Sequence, residues 1–149
     1  MIAIGSDHGG FELKETIKKR LEESGVEYKD FGCYDTNSVD YARIAKKVCD
    51  AVVAGECEKG ILVCGTGIGM SMAANKVKGI RAAVCGDCYS AKYTRLHNDA
   101  NVLCLGARVV GPGLAGEIVD LYLNTQFEGG RHARRIAQIA DIENGTFEG

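Results

Sequence analysis

The stretch that decides the fold is residues 61–76, "ILVCGTGIGMSMAANK". An apolar run ends on Cys64, three glycines spaced by two follow, and a helical pattern begins at Ile68. This order predicts a buried strand, a tight glycine turn and a helix, which is the repeating unit of an α/β protein. The thiol of Cys64 therefore stands at the carboxyl end of a strand, directly before the loop.

The same alternation of strand and helix runs through the whole chain. Five strands are predicted, at residues 1–5, 26–31, 60–64, 80–85 and 101–106. Four of them are strongly apolar, and residues 26–31 alternate like a half-buried edge strand. A helix is predicted from about Ile68 to Val77, and Pro112 predicts the start of another. Apolar strands that alternate with helices are typical of a parallel sheet covered on both faces. We therefore expect one Rossmann-like, doubly wound α/β domain over residues 1–149, with a last helix over about 131–144.

Composition narrows the class of protein. The chain has 149 residues, 46% of them hydrophobic, and a formal net charge of −2, which suits one globular domain and favours neither nucleic acid nor a membrane as partner. The seven cysteines are an odd number and several lie in apolar runs, so we expect reduced thiols. No signal peptide or bilayer-spanning run is recognisable, and the predicted location is cytoplasmic.

In doubly wound sheets, ligands bind beyond the carboxyl ends of the strands. The polar and glycine-rich segments there are residues 6–8, 64–69, 86–88 and 106–108. Gly65, Gly67 and Gly69 allow backbone N–H groups to face outward, which predicts an anion-binding loop. A turn without a ligand is the structural alternative.

Other classes of α/β protein fit less well. The loop "GTGIGM" lacks the third glycine of a dinucleotide fingerprint, since Met70 stands there, and no P-loop is present. Cys85 and Cys88 form a C-x-x-C pair, for which we favour a core thiol and a helix-start thiol. A signalling receiver domain needs an aspartate where Cys64 stands. A nucleotide-binding or redox domain remains a distant alternative.

The segment "GGRHARR" (129–135) is a candidate phosphate clamp. Arg131 and Arg135 are four residues apart on a predicted helix and share one side, which suits forked hydrogen bonds to a phosphate. Arg108 and His132 add further donors. A solvated basic face is the other interpretation of such a run.

Two histidines lie in polar turns. His8 follows Asp7 at the end of the first strand, and His97 precedes Asn98. Histidine titrates near neutrality, so proton transfer is plausible at either position, although a surface histidine is the commoner outcome.

Five segments together resemble the ribose-5-phosphate isomerase B family of sugar-phosphate isomerases. They are "GSDHGGFELK", "CGTGIGMSMAANK", "GIRAA", "RLHNDANVLCLGAR" and "EGGRHARR", and the resemblance runs in register from residue 1 to about residue 142. It implies a Rossmann-like fold, neither metal nor cofactor, and a homo-oligomer, a dimer or tetramer, with active sites at the subunit interface.

The resemblance also implies a reaction and roles. Ribose 5-phosphate and ribulose 5-phosphate would interconvert through ring opening and a cis-enediolate, with Cys64 as the base, His97 as the ring-opening acid and Thr66 as a proton relay. The helix that follows Cys64 favours its thiolate. The substrate-binding positions carried over are Asp7, His8, Gly65, Thr66, Gly67, Ile68, Gly69, Asn98, Arg108, Arg131 and Arg135.

Family branches differ in base and substrate. Some members use a glutamate at the position of Met70, and a thioether cannot take that role. Others act on allose or galactose 6-phosphate, and this six-carbon alternative stays open.

Overall fold

The computed structural model describes residues 1–149 and contains one sheet of five parallel strands in the order β2-β1-β3-β5-β4. The strands are β1 (Ile2–Ser6), β2 (Tyr28–Asp30), β3 (Lys59–Cys64), β4 (Ala82–Val84) and β5 (Val102–Gly106). The predicted parallel, doubly wound α/β fold is confirmed. The strand with the half-buried alternating pattern, β2, does lie at an edge of the sheet.

Six helices cover the sheet: α1 (Phe11–Glu23), α2 (Tyr41–Val53), α3 (Ile68–Ala74), α4 (Cys88–Asn98), α5 (Pro112–Asn124) and α6 (Arg131–Asn144). Side chains of α1, α4 and α5 form one core with one face of the sheet, and those of α2 and α3 form a second core on the other face. The central strands β1, β3 and β5 are thus buried on both sides, which explains their continuous apolar runs. None of the helices combines the length and the apolar character needed to cross a membrane.

Three elements are shorter than predicted. The strand expected over 26–31 covers only Tyr28–Asp30, and the other two shortened elements meet at one place. The helix expected to reach residue 77 ends at Ala74, because Lys76 and Val77 bond to carbonyls three residues back and tighten the turn. The strand expected over 80–85 covers only Ala82–Val84. Its neighbouring residue Arg81 donates its N–H to the Asn101 side chain at 2.7 Å, and Asn75 brackets Ala82 with two side-chain bonds of 2.8 and 3.0 Å.

The strand order brings three loops together. β1, β3 and β5 are neighbours in the centre of the sheet, with Ser6 opposite Val63 and Cys64 opposite Gly106. Because all three strands are parallel, the segments that follow them emerge side by side at the carboxyl edge.

Candidate active site

Nine of the sequence-predicted site residues gather at the carboxyl edge of the sheet. Asp7 and His8 follow β1, Cys64 ends β3, and Arg108 follows β5. We call Asp7, His8, Cys64 and Arg108, together with the loop 65–69, the sheet-edge cluster. Its members come from three adjacent strands, so the register of the sheet fixes their spacing.

The Cys64 thiol is held inside the glycine loop. Its side chain is 5% exposed, and the Gly67 N–H donates to the sulfur at an N···S distance of 3.1 Å. Gly67 has φ +81°, and a Cβ there would lie 3.0 Å from the carbonyl carbon of Leu105, so only glycine can make this turn. An N–H aimed at the sulfur stabilises a thiolate more than a thiol.

Three further N–H groups of the loop have no protein acceptor, those of Gly65, Thr66 and Gly69. The Ile68 N–H is already used, because it bonds to the Thr66 Oγ1 at 3.2 Å. The loop therefore offers adjacent free donors beside the Cys64 sulfur, and an anion that binds there needs no rearrangement of the backbone.

Arg108 brings positive charge to the same place. Its guanidinium lies 3.4 Å from the position of a Cβ on Gly65 and 3.7 Å from that of a Cβ on Gly9, which places it in contact with both glycine turns. Arg108 and His8 also line a cleft of about 440 Å³. An exposed guanidinium at the mouth of a cleft suits a phosphate group.

Asp7 and His8 form a polar turn at the end of β1. The Asp7 carboxylate accepts the Gly10 N–H at 3.1 Å and caps a short 3₁₀ turn over His8–Gly10. The His8 Nδ1 accepts the Val39 N–H at 3.3 Å. In a neutral imidazole with an accepting Nδ1, the proton resides on Nε2, which leaves that atom as a donor toward the cleft.

The other predicted site residues lie elsewhere. His97 and Asn98 end α4, whose last turn is tied to the amino ends of the strands: the Asn98 carbonyl accepts from the Arg81 side chain at 3.0 Å. The Gly60 N–H at the start of β3 bonds to Asn101 at 2.9 Å, and about 13 Å of strand separates Gly60 from Cys64. The chain does not bring these two residues to its own Cys64.

Arg131 and Arg135 belong with His97 and Asn98, and we call these four the helix-end cluster. The ring of His132, between the two arginines in sequence, stacks on the ring of His97 with centroids 4.0 Å apart and planes inclined by 11°. Burial and the neighbouring His97 lower the pKa of His132, and the two arginines act in the same direction.

One group of side chains at the edge of this cluster has the composition of a metal site. Ligand atoms of His97, Glu128 and His132 lie within 4.8 Å of one another. The stacked rings do not direct their lone pairs to one point, and Arg131 and Arg135 add positive charge beside them. The group therefore suits an anion better than a cation.

Two of the other thiols are poorly suited to act as a base. All seven cysteines are free. Burial raises the pKa of Cys49 to about 12 and that of Cys85 to about 11, which keeps both protonated. Cys85 of the C-x-x-C pair is thus poorly suited to thiolate chemistry.

Sequence reasoning missed Tyr41. This residue begins α2, and its ring lies 3.0 Å from the position of a Cβ on Gly69, over the glycine loop. Its only signal in the sequence was a place on the apolar face of a helix, which does not distinguish a core residue from one at a site. The side chain is 46% exposed and borders the loop that holds Cys64.

Comparisons with known proteins identify the family of this chain. The family model described as Ribose/Galactose Isomerase matches residues 2–139. Ribose-5-phosphate isomerase B of Escherichia coli K12 is 53% identical over 142 residues, which are 95% of each chain. The structure of ribose-5-phosphate isomerase B from Clostridium thermocellum superposes with a TM-score of 0.96, at 55% identity over 97% of each chain.

A third similar protein carries a ligand. The enzyme from Mycoplasma genitalium, solved with bound ribulose-5-phosphate, is 43% identical and superposes with a TM-score of 0.91, covering 96% of this chain and 95% of its own. Since the family model spans nearly the whole chain and the relatives match end to end, this protein belongs to the ribose/galactose isomerase family.

Proposed function

We propose that the protein is an aldose–ketose isomerase that interconverts ribose 5-phosphate and ribulose 5-phosphate and needs neither metal nor cofactor. The observation that carries this is the buried Cys64 sulfur, which accepts the Gly67 N–H beside free loop donors. The family relationship supports the substrate class.

Cys64 is the base in this proposal. Its thiolate removes the proton from carbon 2 of the open-chain aldose, and the carbonyl oxygen on carbon 1 takes up a proton. The sulfur then returns its proton to carbon 1, while the oxygen on carbon 2 loses one. Thr66, whose hydroxyl lies next to the free loop donors, carries protons between the two oxygens. No electrons leave the substrate, so no redox partner is required.

The loop stabilises the intermediate. Negative charge develops on the enediolate oxygens, and the N–H groups of Gly65 and Thr66 are placed to receive it. Arg108 and the Nε2 of His8 hold the phosphate in the adjoining cleft. Anchoring the phosphate fixes the distance from carbon 2 to the sulfur. The substrate then loses its translational and rotational freedom on binding, which lowers the entropic cost of the chemical step.

Ring opening is assigned to His97 of a second copy of this chain. The helix-end cluster lies away from its own Cys64, so one chain alone does not assemble the predicted set. Both regions border exposed apolar side chains: Ile68 and Met72 on α3, and Ile139 and Ile142 on α6. Packing of these faces in a symmetric homo-oligomer buries them and brings the two clusters together.

The direct test is turnover by the purified chain. We expect isomerisation of ribose 5-phosphate in the presence of excess EDTA, at the same rate after dialysis. Dependence on an added divalent ion would contradict the proposal. Allose and galactose 6-phosphates are compared in the same assay, and a preference for either favours the six-carbon branch of the family. A cytoplasmic location is inferred from the seven free thiols.

A further inference from the structure

Lys14 is a charged residue buried outside the site. Its side chain is fully inaccessible, and its Nζ donates to Asp30 Oδ1 and Oδ2 at 3.0 and 2.8 Å and to the Cys33 carbonyl. An apolar pair of similar volume is often as stable as a buried ion pair. Stability alone therefore gives no reason for a lysine at this place.

The ion pair holds the start of residues 31–40, which we call the β2–α2 loop. Besides binding Lys14, Asp30 accepts the Gly32 N–H at 2.9 Å. Burial acts to raise the pKa of Asp30, but the hydrogen bonds from Lys14, Gly32 and Lys18 outweigh it and keep that pKa below its ordinary value. The carboxylate is therefore the charged anchor of the loop.

The first part of the loop is bonded to the end of β1. The Ser6 N–H donates to the Gly32 carbonyl at 2.7 Å, and the Cys33 N–H donates to the Ser6 carbonyl at 2.8 Å. Lys14 binds the carbonyl of the same Cys33. These bonds lie one residue before Asp7 and two before His8.

The second part of the loop reaches the site itself. The Val39 N–H is the partner of the His8 Nδ1, and Thr36 lines the same cleft as His8 and Arg108. Lys14 thus binds the beginning of the β2–α2 loop, and the end of the same loop binds an imidazole that the proposed function assigns to the substrate phosphate.

We propose that Lys14 is a positioning residue that fixes the β2–α2 loop, so that Val39 orients His8 with Nε2 toward the substrate phosphate. This role depends on the proposed function only for the identity of the ligand. Since Cys64 stands on a different loop, losing Lys14 weakens substrate binding and leaves the proton transfers largely intact.

A matched control lies one helical turn away. Lys18 binds the same Asp30 Oδ2 at 3.0 Å, but its side chain is 21% exposed and its other partner is Glu15, on its own helix. Removing Lys18 thus removes a charge from Asp30 without removing the contact to Cys33.

The experiment compares Lys14→Met, the double variant Lys14→Met with Asp30→Leu, and Lys18→Met. For each we measure KM and kcat for ribose 5-phosphate, the thermal midpoint, and amide hydrogen exchange of residues 31–40. Lys14→Met and the double variant should raise KM about tenfold while kcat changes less than about threefold. Exchange in the β2–α2 loop should be faster in both. The double variant should regain thermal stability, and Lys18→Met should match the parent.

Three outcomes would overturn the proposed role of Lys14. A double variant that recovers KM and slow loop exchange together with its thermal midpoint would make the pair purely structural and overturn the proposal. So would a Lys18→Met variant with the KM of Lys14→Met. If the double variant does not fold, Asp30→Asn replaces it, and an unchanged KM and loop exchange there also overturn the proposal. A parent chain without turnover contradicts the proposed function, while loop exchange still decides the role of Lys14.

Discussion

The sheet-edge cluster and the helix-end cluster are built in different ways. Cys64 of the first is 5% exposed and lies at the junction of strand and loop, where the ladder and the glycine turn fix its place. His97 of the second has a side chain that is 36% exposed, on the last turn of a helix, with its ring against the ring of another helix. This difference indicates that the sheet and the glycine turn after β3 position the proposed base, whereas the position of the proposed acid depends on packing between helices.

The two clusters also serve different chemical steps in the proposed function. The sheet-edge cluster holds the groups proposed to transfer protons at carbon, and the helix-end cluster holds the group proposed to open the ring. Because the two clusters are built from different elements, we expect a mutation in one cluster to impair its own chemical step and to affect the step of the other cluster much less.

The largest effect is expected in the sheet-edge cluster. Replacing the sulfur by an oxygen in Cys64→Ser removes the thiolate, and turnover in both directions should fall about a thousandfold. Substrate binding, measured by calorimetry, should persist. Cys88→Ser is the control, since that thiol lies outside the cluster, and near-normal turnover by Cys64→Ser would refute its role as base.

If the sheet-edge cluster of one chain and the helix-end cluster of another form one site, two inactive variants should restore activity to each other in a mixed oligomer. Cys64→Ser and His97→Asn chains, each impaired alone, are unfolded together and refolded as a mixture. If each site takes one cluster from each chain of a dimer, random pairing makes half of the dimers mixed. Each mixed dimer contains one intact site and one site that lacks both groups. About a quarter of the parent activity should therefore return. Activity no higher than the mean of the two variants would place both clusters of a site on one chain.

The helix-end cluster alone should show a directional effect. His97→Asn should lower the rate from ribose 5-phosphate about a hundredfold, because that substrate is mostly cyclic and its ring oxygen needs a proton donor. Ribulose 5-phosphate cannot close a furanose, since its carbon-5 hydroxyl is phosphorylated, so the reverse rate should fall far less. Initial rates with trapped product measure both directions. An equal fractional loss would mean that His97 also serves the enediolate step.

The smallest effect concerns stability. The pKa of His132 is lowered in the folded chain, so below about pH 6.5 the unfolded chain binds more protons than the folded one. The free energy of unfolding should therefore decrease as the pH falls from about 6.5 through the folded pKa. In His132→Asn this part of the slope should vanish, as measured by urea unfolding at several pH values. A slope identical to that of the parent would contradict the shift.

Much of the fold followed from the sequence. Continuous apolar runs identified the strands of the parallel sheet, and Pro112 marked the start of α5. Element ends were harder to predict where distant groups compete for the backbone: the short ends of α3 and β4 depend on side-chain bonds from Asn75 and Asn101. A pattern within one segment carries no information about such partners.

By itself, the sequence determined that Cys64 stands between a buried strand and a glycine loop, because that arrangement is local. Only the tertiary structure decided that Asp7 and Arg108 lie beside it and that His97 does not, because the strand order and the direction of α4 set those distances. The role of Lys14 has the same origin. A lysine on an amphipathic helix is ordinarily a solvated residue, and only the packing of α1 against the β2–α2 loop encloses its charge.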